Sequence, residues 1–547
     1  MMLPSLTVYL WVLVPIILAA FGNAFYRGLR AKGMPPGPVT YPFVGNLLQM
    51  PTKNFHLEFQ KWALRYGPVC SLKLGWQNMI VLSSPQAVKD LIEKKSNLYS
   101  ARPDLYINEV TLGHNIILRS NDDIWRRQRK TYHVRLNIKS ANNYLPYQYF
   151  DSLQLMSDLL EDPDRWLAHF KRFTTSVAST IIYGFRTTDP DIGYVGGLMK
   201  WMELMGKAIN LATADFFPFL RTYYRSAPLW MNPTRKWLIR LRTFEDGLFL
   251  SLLESAKDKI AAGKVYPSFI RDMILDEDED RLNELKIAHN AGHGFAAASD
   301  TSWNTLVGFV KAMVLFPDVQ KRAQEEIDRV VGPQRMPTWE DRADLPYIRG
   351  MVEETLRWAP SPLLAAAPHS VTQDDEYRGM KIPKGSSVVL NVWSLNHNTF
   401  KDPRRFDPSR HDPDLTLKEG YGISNDPETR PHFTFGAGRR VCPGFHVAER
   451  SLFLAISRTL WGFEYHLKYD ASGNQMAIDR DAVTDGMIVQ PAPFECVISP
   501  RSNERASIIR QEWQNAQRHL DKDGNFAENF FKNVFDKDPR SHKASQI

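Results

Sequence analysis

Residues Phe435 to Gly444 read Phe-Gly-Ala-Gly-Arg-Arg-Val-Cys-Pro-Gly and stand directly before a long apolar-rich segment. Cys442 is the one cysteine of the stretch. Gly436 and Gly438 allow tight backbone turns, Pro443 pre-sets the first turn of a helix, and Gly444 removes a side chain where a flat group could press against the loop. A thiol held this way points at a fixed spot. If a metal deprotonates it, backbone amides at the start of the following helix can donate to the sulfur and tune it.

Phe435, Gly438, Arg440, Cys442 and Gly444 stand at the spacing of a heme-binding signature. In this the chain resembles the cytochrome P450 family. The resemblance implies that Cys442 ligates heme iron, that Arg440 reaches a heme propionate, and that Phe435 packs near the sulfur. Thiolate on the proximal side of iron favours cleaving the O–O bond of dioxygen, which is oxygen activation and not storage. The implied fold is mostly α with small β-sheets (α+β), a single large catalytic domain behind one N-terminal transmembrane helix. The expected boundaries are a membrane anchor over 1–34, the heme-thiolate domain over 35–500 and a polar C-terminal extension over 501–547.

The chain has 547 residues, 43% of them apolar and 24% charged, enough for a large core. Three cysteines, Cys70, Cys442 and Cys496, give no disulfide framework and point to a reducing, cytosol-facing compartment. The net charge of +7 comes without a basic run, zinc spacing or stacking-aromatic motif, so a nucleic-acid partner is not expected. In the resembling family the cysteine side of the heme docks an acidic electron donor. That implies NADPH–cytochrome P450 reductase, with cytochrome b5 as a second donor.

Leu6 to Phe25 carries no charge over a length that suits one bilayer crossing, and Arg27, Arg30 and Lys32 follow it. The absence of a basic residue before Arg27 argues against a cleaved signal peptide. The expectation is an uncleaved anchor in the endoplasmic reticulum membrane, with the catalytic part on the cytosolic face. Pro35-Pro36-Gly37-Pro38 forms a stiff hinge after it.

Asn54 to Tyr66 has helical spacing, Pro68 to Leu82 reads as two strands around Trp76-Gln77-Asn78, and Pro85 to Lys95 is again helical. Trp125 and Arg129 lie four apart and share a helix face. The resemblance gives both a role at the propionates, which need fixed donors. The loop from Pro103 to Asp123 is expected to cover the substrate pocket, and Gly196 to Trp230, rich in Met, Phe, Trp and Tyr, to form a mobile roof.

Ala291 to Val314 predicts a long helix with the small residues Ala296-Ala297-Ala298-Ser299 ahead of Asp300-Thr301. An acid beside a hydroxyl can supply protons to dioxygen reduction. The family pattern matches except that Ala298 stands where glycine is usual. Counting back from Thr301 at helical spacing puts Ala297, His293 and Asn290 on one face, so His293 and Asn290 are expected to look into the cavity.

Glu354 and Arg357 lie three apart on a helix, and Phe406-Asp407-Pro408-Ser409-Arg410 follows later. By resemblance Glu354, Arg357 and Arg410 form a buried charge network that supports fold and heme loading. Pro360 to His369, with Leu363 to Ala367, is expected to line the heme edge, with His369 at a propionate and the Thr484 to Ile488 turn completing the wall. Beyond Arg501 a polar tail holds Phe526, Phe530, Phe531 and Phe535 at roughly helical spacing and is expected to be partly helical.

Together these imply a membrane-anchored monooxygenase acting on an apolar small molecule of secondary metabolism (polyketide, terpenoid or alkaloid), resembling fungal microsomal members. Cys442 binds iron, Thr301 and Asp300 handle protons, and Trp125, Arg129, His369 and Arg440 hold the propionates. The rivals are a heme-thiolate isomerase or dehydratase without external electrons, and a membrane heme sensor or carrier.

Overall fold

The computed structural model describes residues 6–528 and 530, apart from 211–212, 264–266, 276–281 and 487, and gives only the backbone of 6–13 and 209–210. The helices that position the site are α1 (Leu6–Arg27), α2 (Asp123–Leu136), α3 (Leu145–Glu161), α4 (Trp166–Tyr183), α5 (Gly193–Asn210), α6 (Pro233–Ala261), α7 (Glu284–Leu315), α8 (Pro346–Trp358), α9 (Phe445–Gly462) and α10 (Asn503–Gln517). α7 threads the core and packs along α4, with α6 and α9 also against it. It starts at Glu284, ahead of Ala291, because the Asn283 side chain accepts from the Lys286 N–H at 3.1 Å and caps it. Asp122 caps α2 in the same way through the Trp125 N–H, at 2.8 Å, and so fixes where Trp125 and Arg129 stand.

Eight short strands make three small sheets among the described residues: β1 (Val69–Leu74), β2 (Gln77–Leu82), β3 (His369–Ser370), β4 (Asp375–Tyr377), β5 (Met380–Ile382), β6 (Ser387–Leu390), β7 (Phe463–Leu467) and β8 (Cys496–Pro500). The largest has the order β1-β2-β6-β3, with Val69 opposite Leu82 and β2 parallel to β6. β3 closes that sheet and sets His369 opposite Val388. The β1–β2 turn is tighter than expected: Gly75 takes φ 59°, and Gln77 and Asn78 already pair with Leu74 and Lys73. The fold is therefore mostly helical with small sheets.

A helix does form over Leu6–Arg27, but among the described residues no helix is long and apolar enough to cross a membrane. Asn23 and Arg27 sit in its last turns, and the Arg27 guanidinium donates to Asn23 Oδ1 at 3.2 Å. Side chains 6–13 lie outside the described residues.

The carboxyl-terminal extension is built into the fold. α10 lies against α3, and Arg505 bonds Asp328 at 2.6 Å. Phe526 and Phe530 stack at 4.2 Å and meet Tyr147 and Phe150 of α3, while Gly524 O and Asn525 Oδ1 accept from Arg186 at 2.8 and 3.0 Å. Phe531 and Phe535 lie outside the described residues. Phe526 is 1% exposed, so Phe526→Ala is expected to lower stability by about 3–5 kcal/mol. A urea midpoint unchanged from wild type would contradict that packing.

Candidate active site

The cysteine loop is fixed by its backbone. The Cys442 N–H donates to Phe435 O at 2.9 Å, and Gly436 and Gly438 have φ of 69° and 61°. A methyl group on Gly438 would stand 2.5 Å from the Ile92 carbonyl oxygen, so glycine is required there. Burial pushes the Cys442 thiol up, while the Gly444 N–H, donating to the sulfur, and nearby Arg129 pull the other way. A methyl group on Gly444 would meet nothing within 4 Å, which leaves an open face beside the sulfur.

That face opens into a cavity of about 320 Å³. Cys442, Phe435, Gly444, Arg440, Trp125, Arg129, His369 and Thr301 all line it, from segments far apart in the chain. Ala297 and Ala298 of α7 and Ala365, Ala366 and Ala367 make its walls small and apolar. Leu363 and Leu364 are not among the lining residues; Leu363 packs instead with Trp393 and Val489. Of the 484–488 turn Ile488 reaches the cavity, and Met487 lies outside the described residues. Among the described residues none of Gly196 to Trp230 lines the cavity where a roof was expected, and Trp201 donates instead to Glu245 of α6 at 3.2 Å. Of Pro103 to Asp123, Ile116 and Ile117 reach it.

One end of the cavity is a nest of cations. Burial first, then Arg102 and Arg129, hold the Arg440 guanidinium down to about 8. Asp122, the carboxylate acting on it, is paired with Arg119 at 2.7 Å. Burial lowers Arg102 to about 10. Its guanidinium reaches only carbonyls, Ile117 O, Ala367 O and Pro368 O, at 2.7 to 2.9 Å. Arg440 lies 4.0 Å over the Trp125 ring and donates to Ser100 O and Arg119 O, both at 2.9 Å. The His369 Nδ1–H donates to Tyr99 O at 2.8 Å, and burial keeps that ring neutral, down to about 3. Half-buried cations that have no carboxylate partner among the described residues call for anions, and two carboxylates of a flat group beside the open Gly444 face would meet that demand. The residues fit heme. Arg102 is a cavity residue that sequence reasoning missed; it is a lone arginine before Pro103, and only the fold brings it to residues 367–369.

On α7, also in the cavity lining, the Thr301 hydroxyl donates to Ala297 O at 2.8 Å. Asp300 does not line the cavity; Lys171 of α4 holds its carboxylate at 3.1 Å, and Asn304 donates to its other oxygen at 3.3 Å. His293 lines the cavity as expected, but Asn290 does not, because its amide donates to Thr131 Oγ1 at 2.7 Å between α7 and α2.

The support network forms as expected. Arg357 donates to both oxygens of Glu354 at 2.7 and 2.8 Å, and Arg410 joins at 3.3 Å. His411, which the sequence did not single out, adds a contact at 3.0 Å. Burial alone would raise the Glu354 carboxyl, yet Arg357 and His411 bring it down to about 2.

Known proteins share this fold and sequence. A zebrafish cytochrome P450 solved with abiraterone superposes with a TM-score of 0.62, over 82% of this chain and 100% of that one, at 22% identity. Cytochrome P450 monooxygenase virE of Hypocrea virens is 41% identical over 503 residues, 91% of this chain and 90% of that protein. Cytochrome P450 monooxygenase fogE of Aspergillus ruber is 38% identical over 525 residues, 94% of this chain and 95% of that protein, and fsoB of Humicola fuscoatra is 39% identical over 522, 93% and 96%. The family described as Cytochrome P450 matches residues 35–493, and with the cysteine loop, the cation nest and the fold in agreement, this chain belongs to the cytochrome P450 family.

Proposed function

We propose that the protein is a heme-thiolate monooxygenase that inserts one oxygen atom of dioxygen into an apolar small molecule, an intermediate of fungal secondary metabolism of polyketide, terpenoid or alkaloid type. Electrons would come from NADPH through NADPH–cytochrome P450 reductase, with cytochrome b5 as a second donor. The observation that carries this reading is that Cys442 and Thr301 line one cavity whose remaining lining is largely apolar. Bound heme supplies the reductive activation of dioxygen.

The chain's own residues do the rest. In this reading Arg440, Arg129, Trp125 and His369, with Arg102 added, would hold the propionates of the heme that Cys442 ligates. The Gly444 N–H steadies the sulfur as thiolate. The Thr301 hydroxyl, parked on Ala297 O, can turn its proton toward the cavity. Asp300 faces Lys171, so it can pass a proton only after leaving that pair. Ala297, Ala298 and the 365–367 alanines exclude water and admit an apolar substrate.

Thr301→Ala tests the proton role. With reductase, NADPH consumption should continue while product formed per NADPH falls by roughly tenfold to a hundredfold and hydrogen peroxide rises. Unchanged product yield would remove the role. Product formed without NADPH would favour the isomerase or dehydratase reading, and heme binding with no turnover the sensor or carrier reading.

We place the protein at the endoplasmic reticulum membrane with its catalytic part facing the cytosol. Support comes from the uncharged run and from exposed apolar side chains on contiguous segments. Ile17, Leu18 and Phe21 of α1 are 60–64% exposed, Phe21 meets Phe43, Arg27 lies over Trp76, and Trp76 meets Phe219, which is 56% exposed. Sedimentation with microsomes that resists salt but fails after deletion of residues 1–34 is the expected result. A soluble full-length chain would overturn it.

A further inference from the structure

Behind the cavity wall lies a second polar cluster that the monooxygenase reading does not use. His289 and His293 stand four apart on one face of α7, and Glu245 and Asp246 face them from α6. His293 Nε2 lies 2.8 Å from Glu245 Oε1, and His289 Nε2 lies 2.7 Å from Asp246 Oδ1. One donor atom from each of Glu245, His289 and His293 falls within 4.8 Å of the other two, and all three residues are 2% exposed or less. Among the described residues, Nδ1 of His289, Nδ1 of His293 and both ring nitrogens of His114 are buried without a hydrogen-bond partner, and the His114 ring lies 4.7 Å from that of His289. Buried polar atoms are nearly always paired. The orphaned Nδ1 atoms of His289 and His293 are each available to a ligand.

We propose that Glu245, His289 and His293 form a binding site for one divalent transition-metal ion, zinc by its donor set, that ties α6 to α7 beside the substrate cavity. Two imidazoles and a carboxylate suit zinc, and three protein donors leave a fourth position for water. Bonds of about 2.0–2.1 Å put neighbouring donors about 3.3 Å apart, so donors now within 4.8 Å need only side-chain rotation to converge. The scaffold is rigid there. A methyl group on Gly292, between the two histidines, would lie 2.3 Å from the Phe249 ring of α6, so the helices meet at a separation that only glycine permits. Asp246 then serves as the carboxylate that orients His289, and the Trp201 indole steadies Glu245. His293 also lines the cavity, which puts the ion at the cavity wall.

The test uses the heme-loaded full chain, stripped with a chelator and equilibrium-dialysed against zinc chloride, with zinc and iron counted by plasma mass spectrometry. One zinc per heme iron is expected for wild type, with zinc raising its melting temperature. His289→Ala and Glu245→Gln, checked for an intact heme spectrum, should bind zinc at least roughly tenfold more weakly. Wild type that takes up no zinc overturns the proposal whatever the variants do, and so does equal uptake by wild type and both folded variants.

Discussion

Arg357→Ala is expected to yield little folded, heme-loaded protein. The substitution removes two bonds to Glu354, at 2.7 and 2.8 Å, and leaves a carboxylate that is 0% exposed to His411 and to Arg410 at 3.3 Å. Breaking a buried pair by deleting one partner costs about 3–5 kcal/mol, a large part of the roughly 5–15 kcal/mol that holds a domain together. The damage reaches the cysteine loop. Arg357 also donates to Asn396 O at 2.9 Å, and Asn396 Oδ1 accepts from the Phe433 N–H at 2.8 Å, two residues before the loop begins. Heme absorbance per protein and the urea midpoint should fall together. Arg357→Lys keeps the charge but not the planar fork and should fall between. Wild-type heme content in Arg357→Ala would show that the network does not support the loop.

Cys442→Ala is expected to reduce NADPH-dependent product formation to the level of the enzyme-free blank. Among the described lining residues the cations near Cys442 are arginines, which do not ligate iron, and His369 is held by its bond to Tyr99 O. The loop should keep its shape, since Gly436, Gly438 and the Cys442 N–H set it through the backbone. Retained heme with lost turnover is therefore the informative outcome. Product formed at the wild-type rate would separate Cys442 from the chemistry.

The cysteine loop was legible because its residues are contiguous and each glycine answers a backbone need that sequence can state. The Glu354 network and the Thr301 wall were legible for a similar reason, local helical spacing. Asp300 was read with Thr301 as one proton-handling pair, and the cavity-facing member is Thr301. Adjacent helix residues point about 100° apart, and only the fold shows that Lys171, from α4, takes the carboxylate. Arg102, His411 and Asn396 act through contacts to residues distant in sequence and carry no local signature. The aromatic stretch after Gly196 has the composition of a pocket wall, but composition does not distinguish a wall from a helix packed on its neighbour, as α5 packs on α6. The Phe526 and Phe530 pair had the spacing of one helix face, and its burial against α3 depends on a surface that sequence alone does not reveal.

The most direct test of the central claim is the difference spectrum of dithionite-reduced, full-length protein with and without carbon monoxide. Thiolate from Cys442 opposite the gas predicts a strongly red-shifted Soret band, and Cys442→Ala should lose it. An unshifted heme band in well-folded wild type would mean that the sulfur is not on iron, and would contradict the assignment of this cavity as a heme-thiolate site.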